Sequence, residues 1–163
     1  MTHYYAGIGS RKTPSAVLDE MKEIAAALEE KGFVLRSGGA KGADLAFEAG
    51  VEHRNRKEIF YANDCEDWCL EMVAPYVPAD RPPLEKMSPF VQKLLGRNMK
   101  QLFGHSGNDP VDFVVCWTPD GKDSGGTGYA IRAAEDHGRS VYNLKNEEDR
   151  RLFYKDILGK VPQ

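Results

Sequence analysis

Short apolar runs along this chain are each followed by a longer stretch with helical spacing. Residues 4–8 form the first run and predict a strand. Behind it, Leu18, Met21, Ala25 and Leu28 recur at helical intervals, while Glu20, Lys22, Glu23, Glu29 and Glu30 mostly take the opposite face. Thr13 suits the N-cap of that helix, Pro14 its first position and Gly32 its end. Phe33, Val34 and Leu35 predict a second strand, residues 43–49 a short helix closed by Gly50, and residues 58–61 a third strand. Ser88-Pro89 repeats the helix-start signature, and Val91, Leu94, Leu95, Leu102 and Phe103 then form a helical stripe. A strand over 111–117, a helix over 128–137 ended by Gly138, a strand over 140–144 and a helix over 147–158 complete the pattern.

Strands alternating with helices predict an α/β, Rossmann-like doubly wound fold: a mainly parallel sheet with helices on both faces. The 163 residues suit one domain, 1–163. Only residues 62–88 break the alternation. Pro75, Pro78, Pro82 and Pro83 crowd this stretch, with Pro89 at its edge, and it reads as an insertion holding a short helix over 67–73. A loop this long is either a functional lid or an elaborated surface segment.

Three glycine-rich turns carry the candidate chemistry. They are Gly7-Ile8-Gly9-Ser10-Arg11, Ser37-Gly38-Gly39-Ala40-Lys41-Gly42-Ala43-Asp44 and Ser124-Gly125-Gly126-Thr127-Gly128. Each ends an apolar run and opens a helical pattern, so all three belong at the carboxyl edge of the sheet, where such folds bind ligands. Glycine lets backbone approach a ligand closely, and a helix N-terminus offers unpaired N–H groups and partial positive charge. Together they predict a phosphate site. Arg11, Lys41 and Arg97 are candidates for charge-assisted bonds to phosphate oxygens, Ser37 and Thr127 for neutral ones. The first turn is not a dinucleotide fingerprint: Lys12 takes the place of the third glycine, and Leu35-Arg36 stands where an acidic residue would end the second strand. The second is not a Walker loop, because Lys41 is followed by glycine.

The net charge of −3 opposes nucleic-acid binding by bulk charge and leaves room for a local basic face. No apolar stretch approaches the roughly 20 residues of a membrane span, and the start lacks a signal-peptide pattern. With three cysteines, Cys65, Cys69 and Cys116, this predicts reduced thiols and a cytoplasmic location. Cys65 and Cys69 lack the second pair a zinc site needs, so they read as packing thiols, with no metal and no cofactor expected. His105 and His137 suit helix C-termini. Trp68 and Tyr76 either stack on a base or pin the insertion to the domain.

Taken together, the three motifs resemble the DprA-like Rossmann proteins of the SLOG superfamily, which includes DNA-processing protein A and the LOG nucleotide hydrolases. The likeness runs over residues 4–144 and includes Phe47-Glu48 and Gly138-Arg139-Ser140-Val141. Short stand-alone members are also carried by bacterial viruses, so a phage origin is compatible with it. The resemblance places Gly9, Ser10 and Arg11 at a phosphate and makes Ser37, Gly38, Gly39 and Lys41 a second loop. It makes Gly125, Gly126, Thr127 and Gly128 a third, and sets Arg97 and Asn98 beside the pocket. Asp44 either joins them or only caps the following turn. Two departures stand out. In register, Arg132 replaces the catalytic glutamate of the LOG motif, which leaves Glu135 as the nearest substitute. The flanking domains of full-length DNA-processing protein A find no counterpart in this length.

The expectation is therefore a binder of a nucleotide or nucleotide-derived ligand, without catalysis, that senses or sequesters a signal. Two alternatives remain open: a LOG-like nucleoside 5′-monophosphate N-glycosidase, and DprA-like binding of single-stranded DNA in recombination. The resemblance also implies a homodimer.

Overall fold

The computed structural model describes residues 1–160. Five strands form one all-parallel sheet: β1 (His3–Gly7), β2 (Phe33–Ser37), β3 (Lys57–Ile59), β4 (Phe113–Cys116) and β5 (Ser140–Asn143), in the order β3-β2-β1-β4-β5. The pairings Tyr5↔Leu35 and Tyr5↔Phe113 centre the sheet on β1. The fold class expected from the sequence is the one observed. Three helices, α1 (Ser15–Glu30), α2 (Ala43–Gly50) and α6 (Glu147–Phe153), cover one face. The other face carries α3 (Asp67–Val73), α4 (Pro89–Phe103) and α5 (Gly125–Asp136).

Strand alternation sorts the core between these faces. Tyr5, Leu35, Phe113 and Val115 point toward α1, α2 and α6, where Met21, Ile24, Leu28, Phe47 and Phe153 meet them. Ala6, Ile8, Val114 and Cys116 point toward Met99, Leu102, Tyr129 and Ala133. The order reverses direction between β1 and β4, the switch point of the sheet. Ile8 N–H donates to Val115 O at 3.1 Å and Ser10 N–H to Trp117 O at 3.1 Å, which carries the pairing past the strand ends.

Several boundaries shift. The N-cap of α1 is Pro14, not Thr13, whose hydroxyl instead donates to Ser10 O at 2.6 Å. Helix α5 starts at Gly125 rather than at 128, because the third glycine turn is itself the first helical turn. The end of the last predicted helix opens into a π-turn, Tyr154–Leu158. The proline-rich stretch is folded: α3 packs against α4, and Tyr76 donates to Asp136 Oδ2 at 2.6 Å. Trp68 lies against Gly107, so both aromatics pin the insertion. The Cys65 and Cys69 thiols are free and lie over Gly96 of α4. No helix among the described residues is long and apolar enough to cross a membrane.

Candidate functional site

The loops after β1 and β2 and the first turn of α5 converge at the carboxyl edge of the sheet, over the outer half of α4. They enclose a pocket of about 240 Å³ lined by Gly9, Ser10, Arg11, Asp44, Arg97, Asn98, Gly126 and Thr127, among others. Eight residues predicted from the sequence thus meet in one place. The other predicted residues do not line it: Ser37 ends β2, Gly38, Gly39 and Lys41 lie on the loop that follows, and Gly125 and Gly128 sit in the first turn of α5.

The loops fit because side chains are missing at two points. A Cβ on Gly42, whose φ is +90°, would sit 2.9 Å from both Arg11 Cα and Ser10 O, so the first and second loops touch backbone to backbone. A Cβ on Gly38 would collide with Gln101 Nε2, with Arg97 Nη1 at 2.5 Å and with Asp44 Oδ2 at 2.7 Å. Three polar side chains therefore converge on that one glycine. Ser37 is buried and donates to Gly7 O at 2.6 Å, a structural tie between β2 and β1.

Arg97 and Asn98, adjacent on α4, hold different loops. Arg97 Nη1 donates to Gly38 O at 2.7 Å and to Phe60 O at 2.9 Å, and its Nε donates to Leu94 O at 3.3 Å. Asn98 Nδ2 donates to Gly126 O at 3.2 Å. One turn of α4 thus fixes the second loop to the third. Burial pulls the proton affinity of Arg97 below its ordinary value, and the facing Asp44 carboxylate opposes that shift. Asp44 is 5% exposed and accepts from Ala40 N–H at 3.3 Å, so it braces the turn of the second loop. Burial drives its pKa up to about 6 even though Arg97 pulls the other way.

The groups left open to a ligand are different ones. Arg11 and Lys41 are exposed, and among the described residues neither makes a hydrogen bond or ion pair. Helix α5 has no side-chain cap, because Ser124 Oγ is turned to Asp120 Oδ1 at 2.9 Å. Its Gly126 and Thr127 face the pocket in the turn where N–H groups have no intrahelical partner. Arg11 thus brings an unpartnered cation to the pocket that the uncapped helix start lines, and Lys41 lies on the adjoining second loop outside that lining.

Glu135 lies elsewhere. It lines a separate depression with Ile131, Asn143 and Asn146. Arg132 is committed to Tyr76 O at 3.0 Å and to Asp123 O at 2.8 Å. A larger hollow of about 430 Å³ runs between α1 and the C-terminal turns, where Asp19, Glu20 and Glu23 face Arg150 and Lys160 and Glu20 pairs with Arg150 at 2.7 Å, so it offers an anion no net positive charge. Among the described residues no group of His, Cys, Asp and Glu is arranged to hold a metal.

Sequence reasoning missed Gln101, which is 1% exposed, lines the pocket and has no hydrogen-bond partner for Oε1 among the described residues. Its helical spacing from Arg97 and Asn98, four and three residues on, was the available signal.

No family model matches this chain, and no curated protein matches it by sequence. Among solved structures it is similar to DNA processing protein A from Helicobacter pylori, described for a unique single-stranded DNA binding mode. The TM-score is 0.55 at 16% identity, over 85% of this chain and 63% of that one. The chain therefore spans less than two thirds of that neighbour, and the likeness is one of fold.

Proposed function

We propose that the glycine-loop pocket binds single-stranded DNA through its phosphates. The observation that carries this reading is the placement of unpartnered Arg11 in the pocket with the uncapped start of α5, at the switch point of the sheet, with unpartnered Lys41 on the adjoining second loop. The fold shared with a single-stranded DNA binder supports the choice of ligand. The net charge of −3 confines binding to this edge rather than to the whole surface. Arg97, Asn98 and Asp44 position the loops; Arg11, Lys41 and the backbone of residues 126–127 meet the phosphate.

Fluorescence anisotropy with a labelled oligothymidylate, titrated over a salt series, tests this. Affinity should fall with salt by about 0.7 log units per log unit for each phosphate neutralised. Arg11→Ala and Lys41→Ala should each weaken binding and flatten that slope by about one contact. Absence of binding at low salt, or equal affinity of both variants with wild type, refutes the proposal.

A free nucleotide is the second reading, favoured by the pocket's modest volume of about 240 Å³ and its buried polar floor of Asn98 and Gln101. Competition decides between them: a mononucleotide that displaces the oligonucleotide at comparable concentration makes the nucleotide the ligand. An N-glycosidase reading would have to find its acid or base at this pocket without Glu135.

A further inference from the structure

Among the described residues, four large hydrophobic side chains beyond the N-terminal methionine are markedly exposed, and Tyr61 is the one whose ring lies against a glycine of the loops. Tyr61 as a residue is 55% exposed. Tyr61 follows β3, the strand next to β2, so its backbone leaves the sheet about 4.8 Å from the start of the second loop. There the ring lies against Gly39: a Cβ on that residue, at φ +69°, would meet Tyr61 Cε1 at 2.5 Å. Lys41, an open cation, is two residues further along the same loop, and Arg11 touches that loop through Gly42. The second loop therefore joins the backbone segments that carry Arg11, Lys41 and Tyr61 at the carboxyl edge.

An exposed aromatic on a loose loop would carry little meaning, but Tyr61 is held on both sides. Phe60 N–H donates to Ser37 O at 2.9 Å, and Phe60 O accepts from Arg97 Nη1 at 2.9 Å. The Phe60 ring is buried against His105, with centroids 4.8 Å apart. On the other side, Tyr61 N–H donates to Asp64 Oδ2 at 2.7 Å. The residue that fixes the second loop thus also fixes the backbone carrying the ring. Holding an aromatic surface in place before binding removes an ordering cost that binding would otherwise bear.

We propose that Tyr61 is a stacking platform for a nucleobase next to the phosphate held by Arg11 and Lys41. This rests on the single-stranded DNA reading and deepens it. Bases of a single strand expose their π-faces, and an aromatic ring beside a cationic groove takes any of them. A duplex keeps those faces stacked, so the platform also favours single strands over double.

The test compares wild type, Tyr61→Ala and Tyr61→Phe by anisotropy at one salt concentration. The probes are a labelled oligothymidylate of about 15 nucleotides, near the upper site size of known single-strand binders, and its abasic counterpart of equal length. Tyr61→Ala should weaken binding to the oligothymidylate roughly 5- to 100-fold, the usual worth of one stacked base. Tyr61→Phe should bind like wild type. The abasic probe should bind wild type more weakly by a similar factor, and Tyr61→Ala should cost nothing further on it. Equal thermal melting of the variants shows that the exposed ring is not needed for folding. If wild type binds with the expected salt slope but Tyr61→Ala binds equally well, the platform is wrong and the phosphate site stands. A loss that is the same on both probes makes Tyr61 a loop support and overturns stacking. If wild type binds neither probe, both readings fall.

Discussion

Asp44 sets two forces against each other, and the balance is measurable. Its carboxyl is buried under the second loop, which favours the neutral form, while the guanidinium of Arg97 favours the charged one. Burial wins, and the pKa rises from 3.8 to about 6. A carboxyl whose pKa is higher in the folded state binds protons more tightly there. The stability this contributes is complete below the unfolded value of 3.8 and is lost as pH rises through about 6. A rise of about two pKa units corresponds to about 3 kcal/mol across the whole window, at 1.36 kcal/mol per unit. Between about pH 4.5 and about pH 7.5, integration leaves a loss of about 2 kcal/mol. Asp44→Asn cannot titrate. Urea denaturation of both proteins at the two pH values should therefore show the variant gaining about 2 kcal/mol on wild type as pH rises, whatever their difference at either pH. A stability difference that is the same at both ends would mean that Arg97 keeps Asp44 ionised. A difference of opposite sign would mean that ion pairing outweighs burial outright.

Arg36→Met should cost about 1–3 kcal/mol of stability, read as a lower urea midpoint, because the guanidinium's bonds to Glu58, Asp109 Oδ2 and Asp109 O are lost while those partners keep contact with water. Binding of the oligothymidylate should be unaffected, since Arg36 lies outside the pocket. Gly42→Ala should cost about 1–3 kcal/mol and weaken that binding, because φ +90° is strained for alanine and its Cβ would press on the backbone of residues 10 and 11. A Gly42→Ala protein of wild-type melting temperature and affinity would show that the two loops can part without consequence.

The sheet was legible in the sequence because its signals are local. The apolar runs, the helical stripe of Met21, Ala25 and Leu28, and the Ser88-Pro89 start depend only on periodicity and on capping chemistry within one turn. The same holds for the meeting of the glycine turns, since parallel strands joined by helices must bring their carboxyl ends to one edge. Division of labour among the polar residues was not legible. Arg11, Lys41 and Arg97 carry the same charge in glycine- or helix-rich settings, yet the first two face solvent and the third bonds to three carbonyls. That outcome depends on how far α4 sits from the loops after β2 and β3, and no local pattern encodes that distance. Arg36 makes the same point. In sequence it ends a strand; in the fold it is buried, 3.8 Å over the ring of Tyr4, with its charge met by Glu58 and Asp109. The sequence by itself determined the elements, their alternation and the edge where the glycine turns meet, because backbone propensity and hydrophobic period act over a few residues. Only the tertiary structure decided which cations are spent on the loops and which remain open, because a buried charge finds its partners across the fold rather than along the chain.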